Sequence, residues 1–227
     1  MPGMSTSNSK RRAEIGRERR EKTHRRLIAA AARVIVDRGE ERATIDDFIQ
    51  AAGVARGTFY NYFSTREEII EALWASIGKD PFRQIAAACR TIDNAAEQLI
   101  TFARLVIDRT ARDQVWGWLI YAMSSDPKTV NDDLRSFPSP ELEAGAAEGT
   151  LSFEQLESAS DLVVCVVRNA MRVNLTGPVP DGYNESTCRM ILLALGVGRR
   201  EADRLIRLPL PRIKGTKHDI GAQPGSS

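Results

Sequence analysis

Apolar residues recur along this chain at three- and four-residue steps, the spacing of one helix face. The first stripe, Leu27, Ile28, Ala31, Val34 and Ile35, predicts a helix from about Thr23 to Arg38, stopped by Gly39. The second is short. Thr44 is its N-cap, with Asp47 three residues on. Ile45, Phe48 and Ile49 turn inward, and Gly53 ends it in a sharp turn. Val54 is placed to plug that turn into the core. A third helix, from about Ala55 to Phe63, puts Phe59, Tyr62 and Phe63 on one side. Thr65 and Glu68 then form a T-x-x-E box, opening a helix that carries Ile69, Ile70, Leu73 and Ile77 to near Gly78. Two short helices joined at a glycine turn are a helix-turn-helix, with the first helix as its outer support.

The third helix leaves Arg56, Gly57, Thr58, Tyr60 and Asn61 on its open side or at its N-terminal end. That end of a recognition helix reaches base edges in a major groove. Arg56 can fork onto a guanine and Asn61 can pair with an adenine. Thr58 and Tyr60 offer hydroxyls to phosphates, and Gly57 lets a backbone come close. Arg66 sits in the first turn of the next helix, where the dipole disfavours a cation, so it requires a partner outside that helix.

The stretch TIDDFIQAAGVARGTFYNYFSTREE, Thr44 to Glu68, closely resembles the DNA-binding segment of the TetR family of bacterial transcriptional regulators. The likeness covers about the first third of the chain. It implies a homodimer on a palindromic operator of double-stranded DNA, released when a small-molecule effector enters a C-terminal domain. Thr44, Arg56, Gly57, Thr58, Tyr60, Asn61, Tyr62 and Arg66 match family DNA-contact positions. Ala55 departs from a common Ser cap, a loss of roughly 0.5–2 kcal/mol relative to Ser. Arg66 replaces a common Lys and keeps the charge.

From Pro81 to about Leu208 the helical spacing continues and nothing reads as strand. Breaks come near Arg109 to Asp113, at Asp126-Pro127, at Pro138 to Pro140, at Gly149 and at Gly177 to Pro180. The fold class expected is therefore all-α: a three-helix head joined to a helical effector-binding and dimerisation domain of about five helices. Trp116, Trp118, Tyr121 and Met123 concentrate rings beside Arg112 and Asp113; of these, Trp116, Tyr121 and Met123 are the candidate effector pocket. The helix from Phe153 to about Leu175 is apolar around most of its circumference and needs cover on more than one side. With the helix from Asn184 to Leu195 it lies where the family places its dimer interface; Val163, Val167, Met171, Ile191 and Leu195 are the candidates.

Charge sharpens this picture at one end. Between Met1 and Arg26 nine Lys or Arg face three Glu, a net +6 against +2 for the whole chain. Residues 1–22 are expected to be a disordered basic arm, either simply solvated or following DNA phosphates. Residues 23–78 form the head, 79–208 the second domain, and 209–227 a disordered tail. No apolar run approaches a membrane span, and no secretory signal opens the chain, so the expected site of action is cytoplasmic, away from any membrane. Three cysteines at irregular spacing give no metal or disulfide framework. No nucleophile–base pair, metal cluster or phosphate loop appears, so neither enzyme nor cofactor is expected. An all-helical enzyme and a redox sensor acting through Cys165 beside Arg168 are the competing functions.

Overall fold

The computed structural model describes residues 5–39, 42–124 and 137–213. These residues form helices and turns without a strand. They divide into two compact units, one through Leu73 and one from Trp74 onward.

The first unit holds α1 (Ser5–Arg38), α2 (Ile45–Ala52), α3 (Arg56–Tyr60) and α4 (Arg66–Leu73). Leu27, Ala31 and Ile35 of α1 are buried together with Phe48, Phe59, Phe63, Ile69 and Leu73. These are the residues that the helical spacing turned inward. Two boundaries differ from expectation. The segment read as a disordered arm is helical from Ser5, so α1 begins well ahead of Thr23. Residues 10–26 are mostly Arg, Glu, Lys and other helix formers without proline, so propensity carries the helix on beyond its packed part. The α-helical part of α3 is only Arg56–Tyr60; a hydrogen-bonded turn follows, with Tyr62 N–H and Phe63 N–H both donating to the Phe59 carbonyl.

Gly53 sets the corner between α2 and α3. Its φ of 59° is left-handed. Its N–H donates to Gln50 O and the next, on Val54, to Ile49 O, which is the Schellman pattern. Val54 is half-buried beneath the turn, as the sequence suggests. The Arg26 guanidinium donates to the Gly53 carbonyl at 3.1 Å, and a Cβ on Gly53 would lie 2.9 Å from that same nitrogen. Gly53→Ala should therefore lower stability by about 1–2 kcal/mol from the left-handed backbone alone, with displacement of Arg26 added. Denaturant midpoints measure this, and an unchanged midpoint would contradict it.

In the second unit the chain is π-wound over Trp74–Gly78 and resumes as α5 (Lys79–Cys89). The boundary read at Asp80-Pro81 thus appears as a change of winding. Pro81 falls in the first turn of α5, where a missing N–H costs least. Next come α6 (Ala95–Arg112), α7 (Gln114–Met123), α8 (Ser139–Glu148), α9 (Leu156–Thr176), α10 (Tyr183–Ala194) and α11 (Arg199–Arg207). The expected break at Asp126-Pro127 lies outside the described residues. Asn94 starts α6, its side chain accepting the Glu97 N–H at 2.8 Å.

α6 is the axis of this unit, packed against α5, α7, α8, α9 and α10. It buries Leu99, Ile100, Phe102, Ala103, Val106 and Ile107. The helix expected to need cover on more than one side is α9. Within the protomer α9 buries one stripe, Ala159, Val163, Val167, Ala170 and Met171, and leaves Leu162, Val164 and Val166 half-buried. Among the described residues no helix is long and apolar enough to cross a membrane.

Candidate nucleic-acid interface

The head is fixed by polar contacts as well as by its core. Thr44 Oγ1 accepts the Asp47 N–H at 3.2 Å and Asp47 Oδ2 accepts the Thr44 N–H at 3.0 Å, a complete capping box. Asp47 also accepts from Arg38 at 2.6 Å, tying α2 to the end of α1. These contacts, the Thr44 hydroxyl first, hold the Asp47 carboxyl below its ordinary 3.8. Thr65 Oγ1 accepts the Glu68 N–H at 3.2 Å, while the Glu68 carboxylate reaches back to the Ser64 N–H at 2.6 Å. α3 has no side-chain cap at Ala55, the local weakness that the sequence indicates.

Around α3 the predicted contact residues separate by exposure. Phe59 is fully buried, whereas Tyr60, its neighbour in the chain, is 44% exposed. Thr44, Arg56, Gly57 and Asn61 are exposed with it. Arg56 leans over the Tyr60 ring, 6.0 Å from its centroid, and pairs with Asp46 at 3.2 Å. Both members of that pair are solvent-exposed, so the pair is worth at most about 1 kcal/mol and yields readily to a phosphate or a guanine. A Cβ added to Gly57 would meet nothing within 4 Å.

The other three predicted contacts are half-buried. Thr58 lies at the edge of the exposed row. Tyr62 packs toward α1, with the Arg20 guanidinium 5.8 Å from its centroid and the His24 ring 6.2 Å away. The half-buried His24 ring also lies 5.3 Å from that of Phe63. Arg66 finds its partner inside the protein: its Nε donates to the Ala43 carbonyl at 3.1 Å. That bond secures α4 to the segment before α2 and explains the cation in an unfavourable first turn.

A family model described as bacterial regulatory proteins, tetR family, matches residues 27–73, the packed part of the first unit. Residues 27–73 thus match the TetR-family DNA-binding segment. The chain is 31% identical over 87 residues to the HTH-type regulator YvdT of Bacillus subtilis, covering 38% of this chain and 43% of that protein. To the transcriptional regulator NfxB of Pseudomonas aeruginosa it is 32% identical over 101 residues, covering 44% and 51%. The chain thus matches about half the length of these relatives or less. The fold extends further: RolR in complex with resorcinol superposes with a TM-score of 0.64 at 24% identity, covering 87% of this chain and 99% of that one.

In the second unit the described candidate effector residues, Trp116 and Tyr121, lie against different arginines. Trp116 is buried, with Arg109 5.8 Å from its ring centroid. Tyr121 is half-buried, with the Arg168 guanidinium 4.2 Å from its centroid. The side chain of Met123 lies outside the described residues. A cleft of about 820 Å³ lies between Ile85 of α5, Leu105 and Asp108 of α6, Val115 of α7, and Leu210 to Ile213; neither Trp116 nor Tyr121 lines it. Arg109 pairs with Asp113 at 2.9 Å and Arg112 with Asp108 at 2.8 Å along its polar wall. Residues 211–213, expected in a disordered tail, are thus part of a wall. Arg104 explains this by donating to the Leu208 carbonyl at 2.9 Å, which fixes the exit from α11. Residues 214–227 lie outside the description.

The contiguous aromatic feature of this unit is elsewhere. Trp74, Phe82, Phe102 and Phe137 follow one another at centroid distances of 6.0, 5.4 and 4.1 Å. Each comes from a different segment, so no window of the sequence displays the run.

The five dimer candidates lie on inward faces. Val163, Val167, Met171, Ile191 and Leu195 are all buried within the protomer. Their stripes close the chain's own core and leave other faces of α9 and α10 outside it. Those faces carry exposed Cys165 and Ala194, half-buried Val166, and Met190 at 65% exposure. Arg168, expected beside Cys165, directs its guanidinium over Tyr121. Burial pushes the thiols of Cys89 and Cys188 up to about 12, which leaves them unreactive. Among the described residues no group of three or more His, Cys, Asp or Glu could hold a metal ion.

Proposed function

We propose that this chain is a cytoplasmic, sequence-specific DNA-binding regulator, a homodimer that represses from a palindromic operator and is released by a small molecule. Gly57 carries the DNA reading. It is helical, its φ is not among the positive ones, and the space its Cβ would fill is empty. Nothing inside the protein calls for a glycine there, and alanine makes a better helix. An approaching phosphate backbone supplies the missing reason. Arg56, Tyr60 and Asn61 are exposed around it with chemistry suited to base edges and phosphates.

Gly57→Ala separates stability from binding. Stability should rise by about 0.4–1 kcal/mol, through the unfolded chain. Affinity for a duplex that the unaltered protein selects should fall at least tenfold. Undiminished binding by the alanine variant would overturn the reading of this face.

The effector is proposed to occupy the cleft lined by Ile85, Leu105, Val115 and Leu210. Its ≈ 820 Å³ suits a small organic molecule, and its apolar wall faces two arginine–aspartate pairs. A homodimer closing through Met190, Val166 and Ala194 would cover apolar side chains that one protomer leaves in water. The effector then acts only as far as it prefers one spacing of the two heads over another.

A further inference from the structure

We infer that the N-terminal reach of α1 is a second DNA-contacting element, a basic helix face that follows backbone phosphates beside the bases read from α3. It rests on the proposal that the head binds DNA. The segment Ser5–Arg26 precedes the residues matched by the family model. At 1.5 Å per residue it extends roughly 33 Å, close to one turn of duplex.

The charges on this segment are sorted by face. At 100° per residue, Glu14, Glu18 and Glu21 fall within an arc of about 60°. Arg11, Arg12, Arg19, Lys22 and Arg26 occupy the adjoining arc of about 100°, which holds no acid. Contacts to the head fix which way this arc lies. Arg26, at its inner end, donates to the Gly53 carbonyl at the corner leading into α3. Arg12, Arg19 and Arg26 stand at seven-residue steps, a row that starts at that corner and runs outward. Arg20 and His24, on the neighbouring side, hold the helix rotation against Tyr62.

Two charges of this arc are left open to an outside partner. Arg19 and Lys22 are exposed, and among the described residues no acid pairs with either. The same segment has one large apolar residue, Ile15, so it lacks the apolar face that a membrane surface would bind. A polyanion that meets charge without apolar burial is the occupant this face fits, and duplex DNA is the one the head already implies.

The test compares two double variants of equal charge. Arg19→Gln with Lys22→Gln removes cations from the basic arc. Arg17→Gln with Arg25→Gln removes as many from the acidic side. Binding to a long mixed-sequence duplex is followed across a range of salt concentrations, with helix content checked by far-UV circular dichroism. The first pair should lower the slope of log affinity against log salt by about 1.8, at roughly 0.9 for each lost phosphate contact. The second should lower it clearly less. Equal changes in both, or none in the first, overturn the inference while the head reading stands. If the unaltered chain binds no duplex at any salt, the head reading fails and this inference falls with it. Capture by phosphatidylserine vesicles, lost in the first pair while the DNA slope is unchanged, reassigns the face to a membrane and also overturns it.

Discussion

Tyr60→Ala and Arg56→Ala should each abolish or strongly relax sequence-specific DNA binding while leaving the unfolding transition almost where it was. Tyr60 is 44% exposed and meets the buried Phe59 ring edge-on, at 5.6 Å between centroids. Arg56 makes an exposed ion pair with Asp46 and stands over the Tyr60 ring. Neither side chain contributes more than about 1 kcal/mol to the fold. In contact with DNA the balance reverses. A bidentate arginine–guanine pair is worth about 1–3 kcal/mol of discrimination, roughly 5- to 150-fold in affinity. Competition between specific and mixed-sequence duplexes, beside a thermal melt, reads both quantities. If Tyr60→Ala instead melts the head, the ring belongs to the core and the exposed face has been misassigned.

Phe59→Ala should do the opposite. Its ring is fully buried, 5.9 Å from Phe63 and 5.6 Å from Tyr60, at the centre of the first unit. Truncating a buried phenylalanine costs about 3–5 kcal/mol, from lost transfer energy and the cavity left behind. Whole domains are stable by only about 5–15 kcal/mol, so the loss is a large fraction of what holds the head folded. Chemical denaturation measures it directly, and amide hydrogen exchange shows whether protection is lost across α1 to α4 while α6 stays protected. A change below about 1 kcal/mol would mean that the head is not built around this residue. Two adjacent residues of one short helix are thus expected to separate folding from recognition.

That separation was legible in the sequence because the head is made of local signals. Thr44 and Asp47 announce a capping box, Gly53 a left-handed corner, and the spacing of Phe59 and Phe63 a buried side. Each depends on residues within a few positions of one another. Arg66 was the exception inside the head. Its place in the first turn was recognisably odd, but its partner is a carbonyl 23 residues earlier, beyond any local pattern.

The second unit was legible in class but not in detail. Its core forms where distant helices meet, and periodicity tells which residues are apolar without telling what covers them. Val163 and Met171 were apolar on a helix read as an interface, and both close the protomer's own core. The aromatic concentration at Trp116 and Tyr121 was visible as a cluster in sequence. The run from Trp74 to Phe137 was invisible because four segments supply it. The break before α6 did have a signal, Asn94 followed three residues on by Glu97.

The central claim is that the head reads DNA sequence as half of a symmetric dimer. Selection of bound duplexes from a random pool, at a stated salt concentration, tests it most directly. The account predicts recovery of an inverted repeat, its half-sites separated by about one or more turns of duplex. Recovery of no sequence above background, from protein shown to be folded, would contradict it.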